Sequence, residues 1–156
     1  MTKYSQRIKE WLDQKDVAAE LLNFEKSVHS VEETMAVTGY PIERITKSIV
    51  MVTPTEKFII AMVPATSRAS TERVRKFLEI NDRPRLASAE EIETVIGQMP
   101  GGNSPFNAPN ALVLIDPKLL EQDWVITGGG DDKHLVKITT EELKRVVTYT
   151  EARVRK

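Results

Sequence analysis

The 156-residue sequence contains no cysteine. That absence excludes disulfides, thiolate metal sites, iron–sulfur clusters and a cysteine nucleophile. Histidine is almost as scarce. With only His29 and His134, no HExxH pair can be written, and a zinc hydrolase is not expected. Long apolar runs are missing too: FIIAMV (58–63) and ALVLI (111–115) are of strand length, far short of a membrane span. The opening MTKYSQRIKEWLDQKD has no apolar stretch of signal-peptide length, so a cytoplasmic protein without a membrane partner is expected. Neither sign of charge dominates, with 22 basic against 23 acidic side chains, and aromatic residues make up only 6 %. A nonspecific RNA binder would carry a basic excess and an aromatic stacking surface, so that class is disfavoured.

What is present suits one domain over residues 1–156, with 40 % apolar and 29 % charged residues. Apolar spacing predicts a helix over residues 5–22, and alternation predicts a short strand from Phe24 to Val28. Ser30 with Glu33, and Ser88 with Glu91, read as capping boxes, and Gly39 as the stop of the helix that Ser30 opens. Lys47–Val52 and Lys57–Val63 read as a hairpin. Ser70 and Thr71 lead into a basic helix ending near Leu78, and residues 97–109 are irregular. Strands are expected at Ala111–Ile115, Trp124–Thr127 and His134–Ile138, and Thr139 with Glu142 caps a last helix. Hairpins without strict β-α alternation give an α+β class with a mixed, largely antiparallel sheet.

Candidate chemistry is sparse. The Gly128-Gly129-Gly130-Asp131-Asp132 turn lacks both GxGxxG and GxxxxGK, so a hairpin connection is its plainer reading. Ser104 in Gly101-Gly102-Asn103-Ser104-Pro105 is no nucleophile elbow, because Pro105 has no N–H for an oxyanion hole. Paired glycines could instead leave main-chain amides uncovered for a carbonyl oxygen that gains negative charge, or the loop could be a rigid surface feature. Lys47, at the head of an apolar strand, is either an exposed strand end or a fixed positive charge for a phosphate or oxyanion. His29 reads as a cap neighbour or pocket wall, and His134 as a cross-strand contact.

The order of these pieces carries a resemblance. His29-Ser-Val-Glu-Glu33-Thr34, Thr46-Lys47-Ser48, Gly101-Gly102-Asn103-Ser104-Pro105, Asp116-Pro117 and Gly128-Gly129 together resemble the YbaK-type family. That family comprises free-standing aminoacyl-tRNA deacylases and the editing domain inserted in bacterial prolyl-tRNA synthetases. The resemblance implies an α+β fold around a mixed, barrel-like sheet flanked by helices. It also implies a trans-editing hydrolase that cleaves the ester of misacylated tRNA, Ala- or Cys-tRNA for proline, with no metal and no cofactor. Lys47, Gly101 and Gly102 are then the catalytic set. His29, Thr34, Ser104, Pro105, Asp116, Gly128, Gly129 and His134 are expected to bind substrate. Pro100 and Asn107 depart from the family's usual residues in the loop.

An aminoacyl ester is already activated, so placing it beside water and amide donors can supply much of the acceleration. The partners implied are the aminoacylated 3′ end of tRNA and an aminoacyl-tRNA synthetase. Backbone contacts are expected from two basic stretches, residues 68–85 and the tail from Lys144. The competing class is a non-catalytic adaptor that holds an aminoacyl-nucleotide or a synthetase partner in the same pocket.

Overall fold

Strands with apolar residues on both faces must be covered on both sides, and the observed layers do so. The computed structural model describes residues 1–156. Its elements run α1 (Lys3–Gln14), β1 (Ala19–Asn23), α2 (Val31–Thr38), β2 (Thr46–Val52), β3 (Phe58–Pro64), α3 (Thr71–Leu78), β4 (Arg85–Leu86), α4 (Ala89–Glu91), β5 (Ala111–Ile115), β6 (Trp124–Gly128), β7 (His134–Thr139), α5 (Thr140–Val146) and β8 (Thr150–Glu151). A π-helical turn over Ile92–Ile96 continues α4. No helix is long and apolar enough to cross a membrane.

One sheet has five strands in the order β4-β2-β3-β5-β8; β3–β5 and β5–β8 are parallel and the other pairs antiparallel. The other is an antiparallel β1-β7-β6 sheet. They abut at a parallel bridge between Ile45 and Ile126 and do not close into a barrel. The expected α+β class with a mixed sheet is what the chain adopts.

Alternation sorts the core. Val50, Ile60, Met62, Val113 and Ile115 face Val125, Val136 and Ile138 across the main core, which α1 and α5 close with Ile8, Leu12 and Leu143. The opposite faces of β2, β3 and β5 place Met51, Ile59, Ala61, Val63 and Leu114 under Val74 of α3 and under Ala152 and Val154 near the C-terminus. Ile126 and Leu135 meet Val28 on the outer face of the smaller sheet, with Val37 packed against them.

The capping signals act as read: the Ser30–Glu33 and Ser88–Glu91 boxes are reciprocal, and Gly39 ends α2 with φ +72°. Two expectations fail. The helix stops at Gln14, and Asp16 turns with φ +50°, so Leu21 and Leu22 belong to β1 and pair with Val136 and Leu135. The apolar spacing over 5–22 was one helical stripe followed by a strand, which single-window periodicity does not separate. Phe24–Val28 is not a strand. Only Phe24 and Val28 donate main-chain bonds, to the carbonyls of Lys133 and Asp132, and the chain bends between them.

Candidate functional site

β2 and β6 run side by side from the Ile45–Ile126 bridge, and a cavity of about 350 Å³ opens beside it. Its walls are Ile45–Ile49 of the β2 arm, Ile126–Gly128 of β6, Val28–Val31 and Thr34 around the start of α2, Leu135, and Gly101 with Asn103. Of the residues expected at the site, His29, Thr34, Lys47, Gly101 and Gly128 meet here.

The loop over 99–103 is shaped by its residue types. Met99-Pro100-Gly101-Gly102 has the signature of a type II turn: proline at the second position, Gly101 at φ +88°, and the Gly102 amide donating to the Met99 carbonyl at 2.9 Å. A Cβ on Gly101 would fall 1.9 Å from Cε1 of His29, so the imidazole lies flush on this residue. The Gly101 and Asn103 amides have no acceptor within the chain. The Gly102 amide is spent on the turn, so the expected pair of oxyanion donors reduces at this position to Gly101.

Gly102 has a packing duty instead. Its carbonyl accepts from Gly130, whose own carbonyl accepts from Met99, and a Cβ at Gly102 would meet the Asp131 amide at 2.7 Å. Gly128 is equally crowded, with Asn103 O only 2.4 Å from where its Cβ would stand. The glycine turn is therefore where the 99–103 loop docks by its backbone. Gly129 abuts the His134 main chain and does not line the cavity.

Period two places Thr46 and Ser48 on the main-core face of β2, with Val50, and Lys47 on the other, with Met51. Lys47 borders the cavity, and its Nζ donates to the Ser67 carbonyl at 2.9 Å, leaving further N–H donors on the ammonium. Thr46 Oγ1, Ser48 Oγ and Asn103 Oδ1 are buried without a hydrogen-bond partner, and all three residues line this cavity. Unpartnered buried oxygens are uncommon. Three of the four such side-chain atoms in the chain belong to residues around this one cavity; the fourth is His134 Nε2. Asn103 Nδ2 donates to Ser48 O at 3.3 Å and ties the loop to β2.

The remaining expected residues lie elsewhere. Ser104 is buried behind the loop, held by Gln98: its amide donates to Gln98 Oε1 at 2.7 Å, and its carbonyl accepts from Gln98 Nε2 at 3.2 Å. Pro105 borders a different cavity, beside Trp11 and Val147. His134 is buried with Nδ1 2.7 Å from Asp131. Burial alone would raise the Asp131 carboxyl, but bonds from Thr2, Ser5, His134 and the Lys133 amide outweigh it and hold the group well below the usual carboxylate range. Thr34 spends its hydroxyl on the carbonyls of Val28 and Ser30, so it offers the cavity a wall and no donor.

Asp116 is the clearest departure from the sequence expectation. It is fully buried, and its oxygens accept from the amides of Lys118, Val154 and Arg155 and from the Arg155 guanidinium. A carboxylate so saturated anchors the C-terminal segment and has no capacity for substrate. Sequence reading assigned no role to Gln98, Asn103, Thr46, Ser48 and Ser67. Thr46, Ser48 and Asn103 stood there only as neighbours within the motifs that carry the resemblance. No three His, Asp or Glu side chains converge as metal ligands would.

Known proteins share this fold. A crystal structure of a candidate trans-editing enzyme for prolyl tRNA synthetase superposes with TM-score 0.89 at 20 % identity, covering 100 % of this chain and 99 % of that one. A protein described only as hypothetical superposes with TM-score 0.87 at 24 % identity, covering 96 % of this chain and 99 % of that one. These likenesses establish the fold. In sequence, the proline–tRNA ligase of Solidesulfovibrio magneticus is 26 % identical over 125 residues, and that of Latilactobacillus sakei 24 % over 127. Each alignment covers 80 % of this chain and 22 % of the ligase, so the chain spans about a fifth of those enzymes. The aminoacyl-tRNA editing domain model matches residues 25–146, a stretch containing every wall of the β2–β6 cavity. The chain belongs to the aminoacyl-tRNA editing domain family.

Proposed function

We propose that the β2–β6 cavity hydrolyses the ester joining a wrong amino acid to the 3′ end of tRNA, as a free-standing editing enzyme. The observation that carries this reading is the set of three unpartnered oxygens and the free Gly101 amide around one cavity. Such a site can orient a polar aminoacyl group and meet a developing oxyanion, yet it holds no strong nucleophile. Water is the attacking group. It adds to the ester carbonyl carbon, the negative oxygen accepts a hydrogen bond from the Gly101 N–H, and collapse breaks the bond to the ribose oxygen. The departing ribose oxygen receives the proton, giving free amino acid and tRNA. An oxyanion donor of this kind contributes ~3 kcal/mol.

Lys47 acts at the border. Its ammonium, aligned by Ser67, binds the phosphate of the terminal nucleotide and so sets the ester's position. Ser104 and Gln98 hold the loop from behind. Proton transfer within the substrate, through a ribose hydroxyl or the amino group, completes a scheme that requires no metal or cofactor. The substrates proposed are Ala- and Cys-tRNA for proline, and a synthetase is the partner that would supply them.

The test is deacylation of a panel of misacylated tRNAs, starting with those two, by wild type and Lys47→Ala. Release by wild type with loss of a hundredfold or so in the variant is expected, on the scale of removing one positioning charge. Tight binding without release would leave an adaptor. Release that survives Lys47→Ala would keep the hydrolase and discard the lysine.

A further inference from the structure

A net charge of −1 does not exclude a local cluster of cations. Two basic stretches far apart in sequence meet at one end of the five-stranded sheet. β2 begins there with Thr46 and Lys47, β3 finishes there at Pro64, and β5 and β8 end there at Ile115 and Glu151. The segment after β8 crosses this end. Ala152 donates its amide to Ile115 O, and Asp116 accepts the amides of Val154 and Arg155. Ser70 N–H then donates to Val154 O, and Lys156 N–H to Arg68 O at 2.9 Å. Ala152 and Val154 are buried, so alternation turns Arg153 outward. Arg68 adjoins Ser67, whose carbonyl holds the Lys47 ammonium.

Acidic partners divide the cations. Arg75 and Arg83 share Glu72, Arg85 pairs with Glu91, Arg145 with Glu142, and Arg155 with Asp116. Arg68, Arg73, Arg153 and Lys156 make no ion pair, and neither does Lys47. Glu151, exposed at the end of β8, is the acidic side chain beside them in sequence. The basic tail expected from Lys144 thus splits: Arg145 turns to Glu142 and the Asp16 carbonyl, while Arg153–Lys156 join Arg68.

We infer that this cationic end, Lys47–Arg68–Arg153–Lys156, is the track for the phosphodiester backbone of the tRNA acceptor stem. The inference rests on the proposed function, which puts the 3′ terminal ester in the adjoining cavity, so the stem leaves past Lys47. Four unpaired cations against the single Glu151, with no aromatic side chain among them, suit a duplex backbone and not splayed bases. Residues 147–156 lie beyond the stretch matched by the family model, and the C-terminal segment adds its part of the track by packing back onto the sheet. Asp116 is the residue that positions it.

The experiment measures binding of uncharged tRNA across a salt series by wild type and by Arg68→Glu/Arg153→Glu/Lys156→Glu. Lys57→Glu, at the opposite end of the same sheet, is the control. The triple variant is expected to raise Kd at low salt at least ~10-fold and to flatten the log–log salt slope by roughly 2. The corresponding Gln variants, with unchanged melting temperature, must move the same way by less. In deacylation, kcat/KM should fall further on full-length tRNA than on an aminoacylated CCA trinucleotide. If no misacylated RNA is hydrolysed, the proposed function falls while the binding series still tests the track. An unchanged Kd and slope, an equal loss in Lys57→Glu, or retention by anionic lipid vesicles in preference to tRNA would overturn the inference.

Discussion

Replacing Asp116 with alanine removes the acceptor of four hydrogen bonds at once. Oδ1 takes the Lys118 amide at 2.9 Å and Arg155 Nη1 at 2.7 Å; Oδ2 takes the amides of Val154 at 2.9 Å and Arg155 at 3.0 Å. Val154 is fully buried, so its orphaned N–H bears a full desolvation cost of ~1–3 kcal/mol. Breaking a fully buried ion pair costs ~3–5 kcal/mol. The Arg155 side chain keeps 26 % exposure and can rehydrate, so the lower end applies. A net loss of ~3 kcal/mol follows, equivalent for a chain of this size to a fall in Tm of ~6–12 °C. Urea unfolding by wild type, Asp116→Ala and Asp116→Asn reads it, with a constant m value required. Asn keeps one oxygen but turns an NH2 toward donors, so it too must destabilise. An unchanged midpoint in both variants, combined with a fall in kcat, would refute the reasoning and return Asp116 to the substrate.

Two other outcomes follow from the geometry. Gly101→Ala drives a methyl into the His29 imidazole and imposes ~1–2 kcal/mol of left-handed backbone strain, so deacylation should collapse. Adding His29→Ala should restore part of it; an unaffected single variant would mean that His29 does not pack on the loop in solution. On the acid side, hydrogen bonds from Arg85 and the Ser88 amide lower Glu91 to about 2, and Arg145 and the Ala18 amide do the same for Glu142. Both folded values lie below the ordinary 4.5, so the folded state binds fewer protons. Their stabilisation is therefore complete above about pH 4.5 and is lost as pH falls toward 2. Urea midpoints between pH 7 and pH 3 should drop less steeply for Glu91→Gln/Glu142→Gln than for wild type; parallel curves would exclude these two groups.

Local chemistry alone determined much of this protein. Ser30 with Glu33 starts α2 because a hydroxyl and a carboxylate three residues apart satisfy each other's end of the first turn, whatever surrounds them. The apolar runs at 47–52, 58–63 and 111–115 became central strands, because only a position covered on both faces buries such a run. Proline then glycine at 100–101 specified the turn that frees one amide, and the motif order located Lys47 and the loop beside one cavity.

The rest depends on which residues, distant along the chain, come to adjoin each other. The Pro100-Gly101 turn bond separates the Gly102 amide from that of Gly101, but only the long-range bonds of Gly130 to Met99 and Gly102 show where that loop docks. Asp116-Pro117 looks like part of a site until Arg155, 39 positions away, fills its lone pairs. Thr46, Ser48 and Asn103 become notable only when two sheets meet at Ile45–Ile126 and leave their oxygens unanswered. Balanced charge in the sequence still leaves a local cationic end, because the C-terminal segment brings Arg153 and Lys156 beside Arg68 while Asp116 neutralises Arg155. Sequence fixes which groups a residue can offer, but long-range packing decides which of those groups are already used.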